Sequence, residues 1–249
     1  AVISPIKLPY RYSQSCVIND GTYYDFLFWD KDIAAARRIL RHGIPVFNAP
    51  DAIRICDSKS ETYEALRRAG IPTPRTLVAP MTYETVGYTK EDFVARASAA
   101  LGFPLVIKEC YGSFGEQVYL AKDLEEAYAT VRRIGAKPFL FQAFVDTSFG
   151  VDIRVNVVGE RAVCAMRRRG KAGDFRSNIA HGGVGEPYVL SREEEEIAVS
   201  AARAVGADFA GVDLLFGENG ALVCEVNSNP HFTGTYKHTG TNLAIPILK

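Results

Sequence analysis

Two runs of strand-like residues near the C-terminal end, joined by Glu218-Asn219-Gly220, constrain this chain more than any other part of it. The stretch GVDLLFGENGALVCEVNSNP, Gly211 to Pro230, reads as a β-hairpin. Residues two apart on a strand share a face, so Glu225 and Asn227 point the same way. A three-residue loop with Gly220 in the left-handed position suits the turn. That register pairs Gly217 with Ala221, and therefore Asp213 with Glu225, whose Cβ atoms would stand about 4.5–5.5 Å apart. Two carboxylates facing each other among apolar residues repel, and a hard cation between them removes the conflict. Oxygen ligands from Asp213, Glu225 and Asn227, with no His or Cys, suit Mg²⁺ or Mn²⁺ sharing its other positions with phosphate and water. The plain alternative is a solvent-facing strand side that happens to be polar. A Ca²⁺ site would need a loop of clustered carboxylates, which the sequence lacks.

The 249 residues allow a large core divided among two or three lobes. With 29 basic and 29 acidic residues the formal charge is zero, which gives no reason to expect direct nucleic-acid binding or attraction to an anionic membrane. The five cysteines, Cys16, Cys56, Cys110, Cys164 and Cys224, are odd in number, far apart and without a CxxC, so a disulfide framework or structural zinc is not expected and a cytoplasmic setting is. No apolar run reaches the roughly 18 residues of a membrane helix. The opening Ala1-Val2-Ile3-Ser4 carries no methionine, the expectation for a processed or trimmed N-terminus.

Residues 1–22, with Pro5 and Pro9, read as irregular. A strand over Asp25–Asp30, a helix over Asp32–Arg41, a strand at Pro45–Phe47 and a helix over Ala49–Ile55 make a short α/β rhythm, with no complete strand–helix unit before Asp25. A helix over Ser58–Ala69 and a strand over Arg75–Val78 follow. From 80 to 145 the pattern gives a small α+β lobe, and from Asp152 an antiparallel sheet with a well-capped helix beginning at Ser191. Arg167 to Gly185 is basic, Gly-rich and poorly patterned.

Lys108 ends a strand just before the small-residue loop Tyr111-Gly112-Ser113-Phe114-Gly115, where backbone N–H groups and a lysine can meet phosphate. No GK[ST] closes the loop, so it is not a Walker A motif, and a plain turn is the bland reading. Lys59, near a helix start, is a second candidate cation. Phe139 to Val145, including Gln142, can line an adenine slot, with backbone groups of Ala143 and Val145 reading the base edge; a core strand is the alternative. Asp152 can hold the ribose hydroxyls. The run from Cys164 to Gly183 carries Arg167, Arg168, Arg169, Lys171 and Arg176. Its position between the ribose candidate and the metal candidates favours neutralisation of a triphosphate over a solvated face or nucleic-acid binding, and its glycines allow a water-excluding flap.

In order, DIRVNVVG, RRxGKAGDFRSN, HGG, AGVDLL and EVNSNP resemble the RimK-like branch of the ATP-grasp ligases, over about residues 25–249. The resemblance implies an α/β fold of α+β lobes: an N-terminal α/β domain, short and incomplete, over 1–75, a central lobe over 76–145 and a C-terminal antiparallel-sheet lobe over 146–249, with the nucleotide between the last two. It implies that Lys59, Lys108, Ser113, Phe114 and Gly115 serve the phosphates, that Gln142, Ala143, Phe144 and Val145 form the adenine hinge, and that Asp152 binds ribose. Arg176, Ser177 and Asn178 would contact ATP or an acyl phosphate, Asp213, Glu225 and Asn227 would hold two Mg²⁺ ions (Mn²⁺ as substitute), and Arg154, Arg168 and Arg169 would lie on the substrate side. The implied reaction is ATP-dependent carboxylate–amine ligation through an acyl phosphate, with an amino acid such as glutamate as amine and a peptide, protein or small-molecule carboxylate as acceptor. A homo-oligomer is compatible with all of this. The competing expectations are a phosphotransferase and a nucleotide-binding protein without turnover. Two departures stand out: Ala143 where relatives often carry glutamate, and Arg167 where an acidic residue is frequent.

Overall fold

The computed structural model describes the backbone of residues 2–4, 16–19 and 24–27, and residues 31–113, 115–177 and 182–248, without the side chain of Phe232. Among the described residues three sheets form in chain order. The first is built from β1 (Val2–Ser4), β2 (Cys16–Asn19), β3 (Tyr24–Leu27) and, after helix α1 (Ile33–Arg41), β4 (Val46–Phe47). β1, β2 and β3 run antiparallel, while β4 returns parallel to β3 through the α1 crossover. The stretch expected to be irregular therefore holds two strands, paired Val2↔Asn19 to Ser4↔Val17. Strands of three and four residues are too short to show an alternation that could betray them. Phe28, Trp29 and Asp30, the end of the expected first strand, lie outside the described residues.

Helices α2 (Pro50–Asp57) and α3 (Lys59–Arg68) follow. Pro50 suits the first turn of α2, where an N–H would be unsatisfied anyway. Ser58 caps α3, accepting from the Glu61 N–H. Cys56 and Leu66 from these helices, with Ile71 after them, enter the core of the last sheet, beside Val155, Val212 and Val226.

The central sheet has the order β5-β8-β6-β7, all antiparallel, from β5 (Thr76–Val78), β6 (Leu105–Glu109), β7 (Val118–Ala121) and β8 (Phe139–Ala143). Helices α4 (Asp92–Leu101) and α5 (Leu124–Ile134) cover one face, burying Leu105, Ile107, Phe139 and Phe141 against Val94, Ala97 and Val131. Alternation then sends Val106, Lys108 and Gln142 to the opposite face.

The C-terminal sheet has the order β11-β10-β9-β12-β13, again antiparallel, from β9 (Val151–Val158), β10 (Arg161–Arg169), β11 (Val184–Tyr188), β12 (Phe209–Gly217) and β13 (Gly220–Asn227). Arg167–Arg169, expected in a loosely patterned run, finish β10, and the end of that run begins β11. Charge hid the strand there, because one face of it is a polar wall. Helix α6 (Arg192–Ala204) opens with a full capping box between Ser191 and Glu194. Its Ala198, Ala201 and Ala202 lie close on Ile153, Val155, Val157, Val212 and Leu214. Short helices α7 (Phe232–Thr239) and α8 (Ala244–Ile247) end the chain.

The β12–β13 register pairs Asp213 with Glu225, as expected, but by a different route. The turn is one residue tighter, with Gly217 opposite Gly220, and a bulge between Asp213 and Leu214 leaves Cys224 unpaired and restores the pairing. No helix among the described residues is long and apolar enough to cross a membrane. Cys56, Cys110, Cys164 and Cys224 are free thiols, and burial, with the nearby Glu225 charge, pushes Cys56 up to about 12.

Leu66→Ala should test whether α3 belongs to the core of the last sheet. Leu66 is 2% exposed there. The substitution is expected to cost roughly 2–5 kcal/mol, read as a lower midpoint in chemical denaturation with an unchanged slope.

Candidate active site

The polar faces of the central and C-terminal sheets look across a cavity of about 730 Å³. Antiparallel register sets its floor in rows. One row runs Met166 on β10, Arg154 on β9, Asp213 on β12 and Glu225 on β13. A second runs through Asn156, Gly211 and Asn227, and a third pairs Arg168 with Asp152. Asp213, Glu225 and Asn227 therefore share one face, and all three line the cavity.

The charges on this floor alternate. Arg154 grips Asp213 with two donors, Nε to Oδ1 and Nη2 to Oδ2, the latter at 2.9 Å. Arg168 Nη2 reaches Asp213 Oδ2 at 3.0 Å and holds Asp152 through Nε at 2.7 Å and Nη2 at 2.5 Å. The Ser177 hydroxyl donates to Asp152 Oδ2 as well. Asp152 and Asp213 are each 5% exposed. Burial works to raise the Asp213 carboxyl, but the guanidiniums of Arg154 and Arg168 outweigh it and hold it below the usual carboxylate range. At Asp152 burial wins over Arg168, the Asp213 charge adds to it, and the carboxyl is raised. Two guanidiniums thus offset the Asp213 charge beside Glu225. Gly211 makes room for this: a Cβ there would stand 3.1 Å from Arg154 Cδ and 2.8 Å from Pro230 Cβ.

The residues fit a divalent ion by donor chemistry: two carboxylates and an amide on one face, with no soft ligand among them. The buried Asn227 amide nitrogen has no hydrogen-bond partner, so a flip that offered the oxygen to a cation would cost no hydrogen bond at that nitrogen. Among the described residues no three His, Cys, Asp or Glu side chains cluster as a metal site; the expected set counts an asparagine as its third member.

The opposite wall carries the other candidates. Lys108, 9% exposed, donates to Cys224 Sγ at 3.3 Å, which is the bulged residue brought to the cavity face. Lys59 starts α3, with its N–H on Cys110 O and its Nζ 3.5 Å from Gly112 O. Ser113 and Gly115 line the cavity, but the Ser113 N–H donates to Gln117 Oε1 at 3.2 Å and so is already used. Gln142, Ala143, Phe144 and Val145 line one end. The Ala143 N–H is spent on Arg75 O at 2.8 Å, so of its two backbone groups the carbonyl is the one that could read a base edge. Phe175 closes over this end, its ring 6.3 Å from that of Phe144. Next to it Arg176 is held by Asp174 and donates from Nη1 to Gly115 O at 2.9 Å, joining the segment after β10 to the loop after β6. Arg169 is not brought to the site: it follows Arg168 on β10, points to the other face and is exposed. Phe114 and Asn178 lie outside the described residues.

Sequence reasoning missed Lys31, His231, Thr233 and Thr235, which line the far end of the cavity. The signal was the segment Asn229–Thr235 directly after Asn227, which any side chain leaving the metal-candidate strand must enter next.

The model of the RimK-like ATP-grasp domain matches residues 56–249. This chain belongs to the RimK-like ATP-grasp family. Among the RimK-like relatives, a probable alpha-L-glutamate ligase of Legionella pneumophila (strain Corby) is 37% identical over 85% of this chain and 69% of its own length. An uncharacterized protein of Mycoplasma pneumoniae, the MG012 homolog, is 36% identical over 89% of this chain and 78% of its own. Among solved structures, the ATP-grasp ligase PsnB with a phosphomimetic variant of its minimal precursor, Mg and ADP has a TM-score of 0.64, 24% identity and coverage of 86% of this chain. The present chain spans 64% of that PsnB chain. The likeness places the ATP-grasp fold on the sheets described above.

Arg154 and a cation would compete for the same two Asp213 oxygens. Arg154→Met is expected to tighten Mn²⁺ binding to the nucleotide-free protein by about tenfold, the equivalent of about 1.4 kcal/mol. A titration of free Mn²⁺ by electron paramagnetic resonance checks it.

Proposed function

We propose that the protein is an ADP-forming carboxylate–amine ligase, in which ATP lies between the central and C-terminal sheets. The observation that carries this reading is the facing of Lys108 and Lys59 on one wall toward Asp213, Glu225 and Asn227 on the other, across one cavity. Cations on one side and oxygen ligands on the other suit a polyphosphate with its divalent ion. The base would sit against Phe144 and Val145, with the Val145 N–H and the Ala143 carbonyl reading its edge. The lobes divide at about 75 and 145, although Cys56, Leu66 and Ile71 share the last lobe's core. Mg²⁺ held by Asp213, Glu225 and Asn227 would supply charge neutralisation for the β- and γ-phosphates.

The substrate carboxylate attacks the γ-phosphorus of ATP, the bond to the β-phosphate oxygen breaks, and ADP leaves. The amine then attacks the acyl carbon of the acyl phosphate, loses a proton and expels phosphate, leaving an amide. No protein nucleophile is needed. Lys59, Lys108 and Arg176 hold the phosphates, Arg154 and Arg168 offer positive charge to the reacting carboxylate, and Phe175 with the flap keeps water from an intermediate that water would hydrolyse. Asp152 is committed to Arg168 and Ser177 and meets ribose only if it keeps an oxygen lone pair for it. The name carried by the Legionella relative favours glutamate as the amine. The PsnB complex with the precursor peptide PsnA2, 25% identical to this chain, favours a peptide-type acceptor.

Glu225→Ala should abolish ADP release, by at least a thousandfold, while circular dichroism and the thermal midpoint stay near those of the parent; a removed metal ligand takes away charge stabilisation that the transition state needs. The assay screens amino acids with acidic acceptors and weighs the product. A gain equal to an amino acid less water supports ligation. A stable gain of phosphate on a hydroxyl would make the protein a phosphotransferase, and ATP binding without ADP across the screen would make it a binding protein. Normal turnover in Glu225→Ala would end the metal assignment.

A further inference from the structure

β12 and β13 stop exchanging hydrogen bonds at the pair Gly211↔Asn227. Beyond it, one strand continues back through Ala210 and Phe209 while the other runs on into Ser228. The next rung of the ladder is not made by either strand. It is made by the side chain of Asn48, from the short loop between β4 and α2. Asn48 Nδ2 donates to Phe209 O at 2.8 Å and to Ser228 O at 2.7 Å. Its Oδ1 accepts from the Asp208 N–H at 2.6 Å and the Phe209 N–H at 3.1 Å. An amide has two donor hydrogens and two acceptor sites, and here all four are used, on a residue with 0% exposure.

The place of this clamp matters more than its strength. Ser228 directly follows Asn227, the last residue of β13 and the third oxygen-bearing side chain of the metal candidates. The Asn227 amide nitrogen is buried and unpartnered, so the place of its side chain depends closely on the position of its backbone. That backbone is fixed on one side by Gly211 and on the other by Asn48. The same clamp sets where the chain leaves the strand, and hence where His231, Thr233 and Thr235 meet the cavity. Asn48 also lies outside residues 56–249, which the family model matches.

We infer that Asn48 is a positioning residue for the metal site: an amide from the N-terminal part of the chain completes the strand end that presents Asn227 beside Glu225. The inference rests on the assignment of Asp213, Glu225 and Asn227 to a divalent ion. It makes the site dependent on a segment that contributes no ligand of its own.

The test uses the full chain and two variants. Asn48→Ser is small and removes the clamp. Asn48→Asp keeps the shape but sets a carboxylate oxygen against the carbonyls of Phe209 and Ser228. Mn²⁺ affinity is measured by electron paramagnetic resonance, well below each thermal transition, with ADP binding in the absence of metal as a control for the cavity. Loss of an outer residue that orients a metal ligand weakens affinity by about 10–100-fold. Both variants are therefore expected to bind Mn²⁺ at least tenfold more weakly, to bind metal-free ADP within about twofold of the parent, and to recover turnover as Mg²⁺ is raised. A residue that merely stabilises the fold would lower the thermal midpoint and leave the Mn²⁺ affinity of the folded protein unchanged, and that result overturns the inference. So does failure of both variants to fold, which would make Asn48 a residue of the fold as a whole. Glu225→Ala separates this outcome from loss of the metal assignment. If the parent and Glu225→Ala bind Mn²⁺ alike, the assignment itself fails; if only Glu225→Ala loses the ion and the Asn48 variants keep it, the role of Asn48 alone fails.

Discussion

Asp152, Arg168, Asp213 and Arg154 form a chain of alternating charge under the cavity, and the other polar features of the site are arranged around it. Moving any one of these groups out of water alone would cost several kcal/mol, and removing one partner of such a pair typically destabilises by about 3–5 kcal/mol. Together they balance to zero. The register of three antiparallel strands, β10, β9 and β12, makes this possible, because it sets Arg168 across from Asp152 and Arg154 across from Asp213. The apolar side of the same strands buries Ile153, Val155, Val212 and Leu214 against α6. One periodicity of two thus builds the core on one face and the ionic floor on the other.

The floor is also poised for exchange. Each Asp213 oxygen has a guanidinium donor, and each donor has a geometry that a phosphate or carboxylate could match. A cation bound at Asp213, as proposed, would release Arg154 toward an anion, and the two ligands would then be linked through one ion pair, each favouring the other by reciprocity.

Much of this was legible in the sequence, because alternation of residue types carries strand facing directly. Asp213, Glu225 and Asn227 emerged on one face, and Lys108 and Gln142 on the wall opposite. What could not be read is what depends on distant parts meeting. Arg154 and Arg168 were visible as charges, but their commitment to Asp213 and Asp152 needs the β9–β12 and β9–β10 pairings. Arg169 was grouped with its neighbours because adjacency in a charged run says nothing about face until the run is known to be a strand. Asn48 gave no signal at all: an asparagine before a proline-led helix reads as a turn, and its four partners are 160 to 180 residues away. The helices α2 and α3 were recognised as helices, yet their membership of the last sheet's core was not, since amphipathic spacing reveals a buried side without naming what buries it.

The pairing of Asp213 with Glu225 came out correctly from an incorrect turn, and the bulge explains why. A turn one residue shorter and a strand one residue longer arrive at the same partner. The two solutions differ in a single respect: only the bulged one rotates Cys224 to stand beside Glu225, against Lys108. A tip one residue longer with no bulge would keep the acidic pair and turn Cys224 away from Lys108, so the length of the hairpin tip decides whether that lysine has a sulfur beside it.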